Sequence, residues 1–281
     1  MSLVTYWRTR LTLLSGGAVA CVLAATAGAA FGLPAVGSRA GSLLAQPSPV
    51  VAIVLTAAVI FISCLLGTLL GGRIRPDAGL FAAAFSLVAL SWQSGRMRDV
   101  LFTFGPATNP FPYLALELVI LAALMGLCQF AILLLVGRGI LAPDDARDGV
   151  PPPSSTTGEI VLAFLCTAGA TAILAWFLVP TDGKQQAVIG IGLAAFIATA
   201  AVHFIISPTT PLWPHWLGVV AAGIAMYGYA YSDPGVLSTG VIDVPPARAL
   251  PLDFAGAGIV GATGAYWYAR HWKRPIPDDE Q

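Results

Sequence analysis

The chain has 281 residues, of which 57% are hydrophobic and only 10% charged, against roughly 25% charged in an average soluble domain. A water-soluble fold of this size could not cover its surface with so few charges. The 14 basic and 14 acidic residues cancel to a formal net charge of zero, so nothing suggests a nucleic-acid surface or a polybasic lipid-binding patch.

The informative unit is therefore the apolar stretch of about 20 residues, because a helix rising about 1.5 Å per residue needs that length to cross roughly 30 Å of hydrocarbon. Eight such segments are predicted, over residues 11–31, 49–70, 78–92, 112–136, 159–179, 187–206, 213–231 and 253–269. They must be helices, since an open strand would leave backbone N–H and C=O groups unpaired in lipid. The apolar runs are continuous, without the alternation of a barrel. The expected fold is an all-α polytopic transmembrane bundle.

The first segment carries Gly16, Ala20, Ala24 and Gly28 at spacing four, with Gly17, Cys21, Ala25 and Ala29 beside them. In lipid, helices associate through close backbone approach and interhelical hydrogen bonds, so such small-residue stripes mark faces buried against other helices. The segment has a rival reading. Arg8 and Arg10 precede it, and Ala27-Gly28-Ala29 resembles a signal-peptidase site. The apolar run is longer than a usual signal core, which favours a retained span.

The second segment repeats the stripe with Ser63, Gly67 and Gly71, and the eighth repeats it with Ala257, Gly261 and Ala265. The third, 78–92, is the shortest, and Arg96 and Arg98 follow it on what should be the outer side; without it the count falls to seven. In the fourth, Glu117 is the one acidic residue well inside a segment. An intramembrane carboxylate is costly and often lines a cavity, binds an ion or relays a proton, although a hydrogen-bonded structural residue is the more ordinary reading.

After the fourth segment comes a polar, proline-rich stretch, APDDARDGVPPPSSTTGE, whose composition cannot form a packed core. It divides the chain into a first half (1–141), a linker (142–158) and a second half (159–281). Each half holds four segments and a Phe-x-x-Pro step, Phe31 to Pro34 and Phe177 to Pro180. Two halves related by duplication would share one orientation in the bilayer; chance likeness among alanine-rich helices is the plainer reading.

In the sixth segment His203, with Thr199 and Ser207 four residues to either side, forms a polar stripe on one face. It could guide a proton or substrate, but more often such a stripe is an interhelical hydrogen-bond seam. Asp233, Asp243 and Asp253 recur every ten residues, a spacing with no local geometry for a cation site, so they are expected to be solvated loop charges.

Every tryptophan falls at or near a segment end, as expected for a headgroup-level belt, and Tyr227, Tyr229, Tyr231, Tyr266 and Tyr268 join it. His215 and His271, each beside a tryptophan, are expected to anchor the protein at the membrane edge. With eight spans, nine of the lysines and arginines lie on the side of the termini and five opposite, which places both termini in the cytoplasm. A bacterial cytoplasmic membrane suits the compact loops.

Cys21, Cys64, Cys128 and Cys166 lie in apolar stretches without paired spacing, so they read as buried apolar side chains, not as a disulfide framework or a metal site. No metalloprotease, nucleophile-elbow, phosphate-loop or haem-ligand pattern occurs. Nothing in the pattern asks for a cofactor.

The leading expectation is a non-catalytic subunit or scaffold, with membrane lipid and either a membrane-protein partner or a second copy as its contacts. The alternative is a small transporter or channel using Glu117 and the seam around His203. The lack of clearly broken helices with several midplane polar groups weighs against it.

Overall fold

The computed structural model describes residues 15–20, 22, 24–26, 42–72, 74–105, 108–138, 155–206, 208–233 and 242–272. Cys21, Gly28, Ser207, the Ala27-Gly28-Ala29 step and nearly all of the polar linker lie outside them. Among the described residues the fold is all helix, with no strand.

Helix α1 covers the described positions of 15–26. Then come α2 (Pro49–Gly71), α3 (Ala78–Gln93), the short α4 (Met97–Phe104), α5 (Phe111–Gly137), α6 (Thr157–Leu178), α7 (Lys184–Ile205) and α8 (Trp213–Tyr231). A 3-10 turn, Pro245–Arg248, leads into α9, which has three parts: an α-turn Pro251–Asp253, a π-helical stretch Phe254–Gly258 and an α-helix Ile259–Trp272.

The starts of these helices follow from their sequences. Pro stands in the first turn of α2, α5, α8 and α9, where its fixed φ suits a helix and its missing N–H would have had no partner. Helix α6 opens on a reciprocal cap: Thr156 Oγ1 accepts the Glu159 N–H at 3.3 Å while Glu159 Oε2 accepts the Thr156 N–H at 2.8 Å. The fifth segment, expected from residue 159, accordingly starts two residues earlier.

Four helices are long and apolar enough to cross a membrane: α2, α5, α6 and α7. Helices α3 and α4 together qualify as a fifth if a span bent by 65° is counted as one. Length and apolarity thus give four or five candidate spans, not the expected eight, and association with a membrane follows from them.

The shortfall has a packing reason. The qualifying helices turn large apolar side chains outward, among them Val54 and Leu65 on α2, Leu127 and Phe130 on α5, and Ile173 and Phe177 on α6. Helices α3 and α9 lie inside the bundle instead. Every residue from Leu250 to Ile259 is buried, as are Ala78 through Ala84. A helix surrounded by protein meets no lipid and needs small residues that admit its neighbours more than it needs bulk apolarity.

Helix α3 packs mainly on α2, α9 runs against α7 and crosses α3 at its π-helical part, α6 packs on both α7 and α8, and α5 joins α8. The helices before the linker and those after it therefore interlock.

The small-residue stripes sit at these contacts. Ala20, Ala24, Ser63, Gly71, Ala257 and Ala265 are all buried, and the Gly16 face meets Gly67, whose Cα lies 3.9 Å from where a Gly16 Cβ would stand. A Cβ on Gly67 would lie 2.5 Å from Ala82 Cβ and 2.8 Å from the Ala78 carbonyl oxygen, and one on Gly261 would run into the carbonyl oxygen of Gly192. The neighbouring atoms are largely backbone, so they cannot turn aside.

Several interfacial expectations are corrected. Trp92, Trp176, Trp213, Tyr229, Tyr231 and Tyr268 are exposed, as a belt requires. Trp216, Tyr227 and Tyr266 are buried, because each polar tip or ring finds a partner inside the bundle. Trp216 Nε1 donates to Gln129 Oε1 at 2.5 Å, joining α8 to α5. Cys64 and Cys128 are buried and Cys166 half-buried.

Candidate functional site

The helices are tied together at one end of the bundle by three ionisable side chains. Glu117 projects from the second turn of α5 and is 1% exposed. Its Oε2 accepts the Ser42 hydroxyl and, at 3.3 Å, the Leu44 N–H. Both donors come from the turn-rich segment 42–48 that leads into α2, so the carboxylate holds that segment down on the bundle. Glu117 Oε1 is buried with no hydrogen-bond partner.

Asp253 is fully buried, which overturns its reading as a solvated loop charge. It stands in the first turn of α9, where a carboxylate suits both the free N–H groups and the helix dipole, and its Oδ2 accepts the Leu250 N–H at 2.7 Å. Its Oδ1 accepts the Ser91 hydroxyl from the end of α3 and the Lys184 ammonium at 2.7 Å. Lys184 is the first residue of α7, the wrong end of a helix for a cation. Its place there is explained by the ion pair with Asp253, since an ammonium out of water needs a close counter-charge.

These groups form one neighbourhood. The Pro251–Asp253 turn packs against α3, α5 and α7, and Tyr227, buried on α8 against Phe111 and Phe254, donates its hydroxyl to the Ala249 carbonyl at 2.7 Å. The lid over them is the chain around the 3-10 turn, with Ile242, Val244, Ala247, Ala249 and Leu250 buried. Arg248, counted from sequence as a loop cation, clips that lid. Its Nε and Nη2 donate to the Ile242 carbonyl at 3.0 and 2.7 Å, and its Nη1 donates to the Pro180 carbonyl between α6 and α7.

The helices are irregular where they meet this site. The π-helical stretch follows Asp253 directly, and α3 ends just past Ser91 before the chain bends into α4. A Cβ on Gly256, within the π-helical stretch, would stand 2.7 Å from the Val88 backbone nitrogen, so α9 crosses α3 backbone to backbone one turn below Asp253. A π-bulge offsets the helical register by one residue and is frequent at functional sites.

The other polar region lies toward the opposite end of the bundle. His203 and Thr199 are buried on α7; Ser207, the third member of that stripe, is outside the described residues. The His203 ring centroid lies 5.6 Å from that of His215 and 5.0 Å from that of Tyr266. His215, expected to anchor at the membrane edge, is fully buried. Its Nδ1 lies 3.0 Å from Thr167 Oγ1 and its Nε2 3.2 Å from Thr210 Oγ1, so both ring nitrogens are engaged and α6 is bonded to α8.

Close by, Asp77 stands half-buried just ahead of α3. Desolvation pushes its carboxyl up to about 6 against the opposing pull of Arg75 and Arg270, and Arg270 lies 5.7 Å over the Tyr266 ring.

Glu117 and His203 do not meet. Lys184, beside the Glu117 site, begins α7, and His203 follows it by about 19 residues, roughly 28 Å along the axis. Sequence reasoning named Glu117, His203 and Thr199 but missed Asp253, Lys184, Ser91, Ser42, Tyr227 and His215. One signal was present: a lone lysine and a lone aspartate each stand within three residues of a helix start, and charges left at two span heads invite pairing.

Among the described residues no group of three or more His, Cys, Asp or Glu side chains is arranged to hold a metal ion. Comparison of the chain with known protein families, with curated proteins and with solved structures finds no match.

Proposed function

We propose that this chain is a small membrane transporter or channel, crossing the bilayer eight times with both termini in the cytoplasm of a bacterial cell, and that the Glu117–Asp253–Lys184 site lies on its pathway. One observation carries the reading: ionisable and hydroxyl side chains from α3, α5, α7, α8 and α9 converge beneath a lid, at the π-helical stretch of the most deeply buried helix.

Ionisable groups inside a membrane protein are expensive and mark ion or substrate routes, and π-bulges are frequent at functional sites. The π-helical stretch of α9 supplies an irregularity that the sequence did not reveal. Eight crossings follow if α1, α3, α8 and α9 span as protein-surrounded helices alongside the four lipid-length ones. The excess of lysine and arginine on the side of the termini supports the orientation.

The test is charge movement. Membranes holding the purified protein on a solid-supported electrode should give a transient current on a rapid change of pH or of sodium, and Glu117→Gln should remove it at unchanged expression. A wild-type protein silent to every ion jump, yet holding a stoichiometric protein partner in mild detergent, would establish the scaffold reading in its place.

A further inference from the structure

We infer that Glu117 Oε1 is the seat of one exchangeable proton, whose binding balances the charge of the buried site. The inference deepens the transport reading by naming the coupled ion; it rests on that reading for its purpose, not for its test.

The charge count comes first. Among the described residues, with every group ionised, the site holds two carboxylates, Glu117 and Asp253, against one ammonium, Lys184. Arg248, on the lid, gives its Nε, Nη1 and Nη2 donors to the Ile242 and Pro180 carbonyls. The uncharged groups facing the site are Ser42 and the Leu44 amide from the segment before α2, Ser91 on α3 and Tyr227 on α8. None of them can cancel a charge at neutral pH. A net negative charge on carboxylates this deeply buried is costly, and the ordinary resolution is that one group takes up a proton.

The hydrogen bonds decide which group. Both Asp253 oxygens are satisfied, Oδ1 by Ser91 and Lys184 and Oδ2 by Leu250, so a proton there would have to displace a donor. On Glu117 only Oε2 is bonded, and Oε1 is buried without a donor. An ionised Oε1 would forgo solvation entirely. Protonation at Oε1 neutralises the carboxyl, keeps both bonds to Oε2 and leaves the Lys184–Asp253 pair intact. The step is a plain acid–base exchange with water: carboxylate and proton give carboxylic acid, with no other bond made or broken.

Ionisation then has a mechanical consequence. The same carboxylate binds the Ser42 hydroxyl and the Leu44 N–H, so loss of the proton strengthens its hold on the segment before α2 while Lys184 stays with Asp253 at 2.7 Å.

Infrared difference spectroscopy of the full chain in lipid nanodiscs tests the proposal without any turnover. Wild-type protein should show a carboxylic-acid carbonyl band at acid and neutral pH that disappears on alkaline titration and shifts in heavy water. Glu117→Gln should lose it, while Glu117→Asp should keep a titrating band at a displaced frequency, which covers the case in which the glutamine variant does not fold. Identical spectra for wild type and Glu117→Gln at every pH overturn the proposal, as does a band that neither titrates nor exchanges. Sodium added at fixed pH should leave the band unchanged; bleaching of the band would assign the site to sodium and overturn the proton.

The two readings fail separately. A titrating Glu117 band in a protein that moves no charge leaves the proton site standing without transport. Charge movement undiminished in Glu117→Gln leaves transport standing without the proton site.

Discussion

Glu117, Asp253 and Lys184 at one end of the bundle, and His203, His215 and Tyr266 toward the other, are both buried polar groups held by several helices, yet they are built on opposite terms. The first set is ionic and assembled at helix heads and connecting segments, where free backbone N–H groups and a lid supply extra donors. The second is mainly aromatic and imidazole, at the end of α7, the start of α8 and within α9, with His215 between two threonine hydroxyls and Arg270 over the Tyr266 ring. The carboxylates of the first set draw on backbone N–H donors, whereas His215 relies on side-chain hydroxyls alone.

If that distinction holds, the largest effect comes from orphaning a charge. Asp253→Ala leaves the half-buried Lys184 without its counter-ion and should cost about 3 kcal/mol, the low end for breaking a buried pair because the ammonium keeps some contact with solvent, read as loss of folded protein in a denaturation series in detergent. The double variant Asp253→Leu with Lys184→Met should recover most of that loss. A double variant no better than the single would show that the ion pair is not the reason for the burial.

At the other end His215→Ala removes two neutral hydrogen bonds and leaves Thr167 and Thr210 facing a gap. The expected cost is smaller, about 1–3 kcal/mol, with stability independent of sodium and charge movement intact. Lost charge movement in a folded His215→Ala protein would erase the contrast between the two regions.

Trp216→Phe isolates a single bond, that to Gln129, and should cost about 1 kcal/mol, measured as a shift in thermal unfolding in detergent.

The smallest effect belongs to Asp77. Its folded pKa, about 6, lies above the ordinary 3.8, so the folded state binds the proton more tightly than the unfolded one. Acidification from pH 6 toward 4 should therefore stabilise the wild type relative to Asp77→Asn. Half-exposure and two nearby arginines keep the amount small. A melting-temperature difference that stays constant across that window would refute the assignment.

Packing predictions made from the stripes concern neither region and so serve as a control. Gly67→Leu or Gly261→Leu should prevent assembly of the bundle, whereas leucine at exposed Ala131 on α5 should be tolerated.

The helical class, the membrane as solvent, the small-residue faces and the singular position of Glu117 were all legible along the chain, because hydrocarbon thickness and dryness impose run length and internal hydrogen bonding on any spanning segment. Segment bounds came within a few residues for the same reason. Which helices lie inside was not legible: α3 and α9 resemble the others in composition, and only their neighbours exclude lipid from them.

The polar sites divide along the same line. A carboxylate deep in an apolar run announces itself, so Glu117 could be named from its surroundings in sequence. Asp253 and Lys184 stand at span edges, where sequence assigns charges to water, and they are separated by about 70 residues. Their pairing, the burial of Tyr227 and His215, and the π-helical turn at Phe254–Gly258 are set by contacts between distant helices, which local periodicity does not encode. Tertiary packing alone decided that these edges would be covered and their charges made to answer to one another.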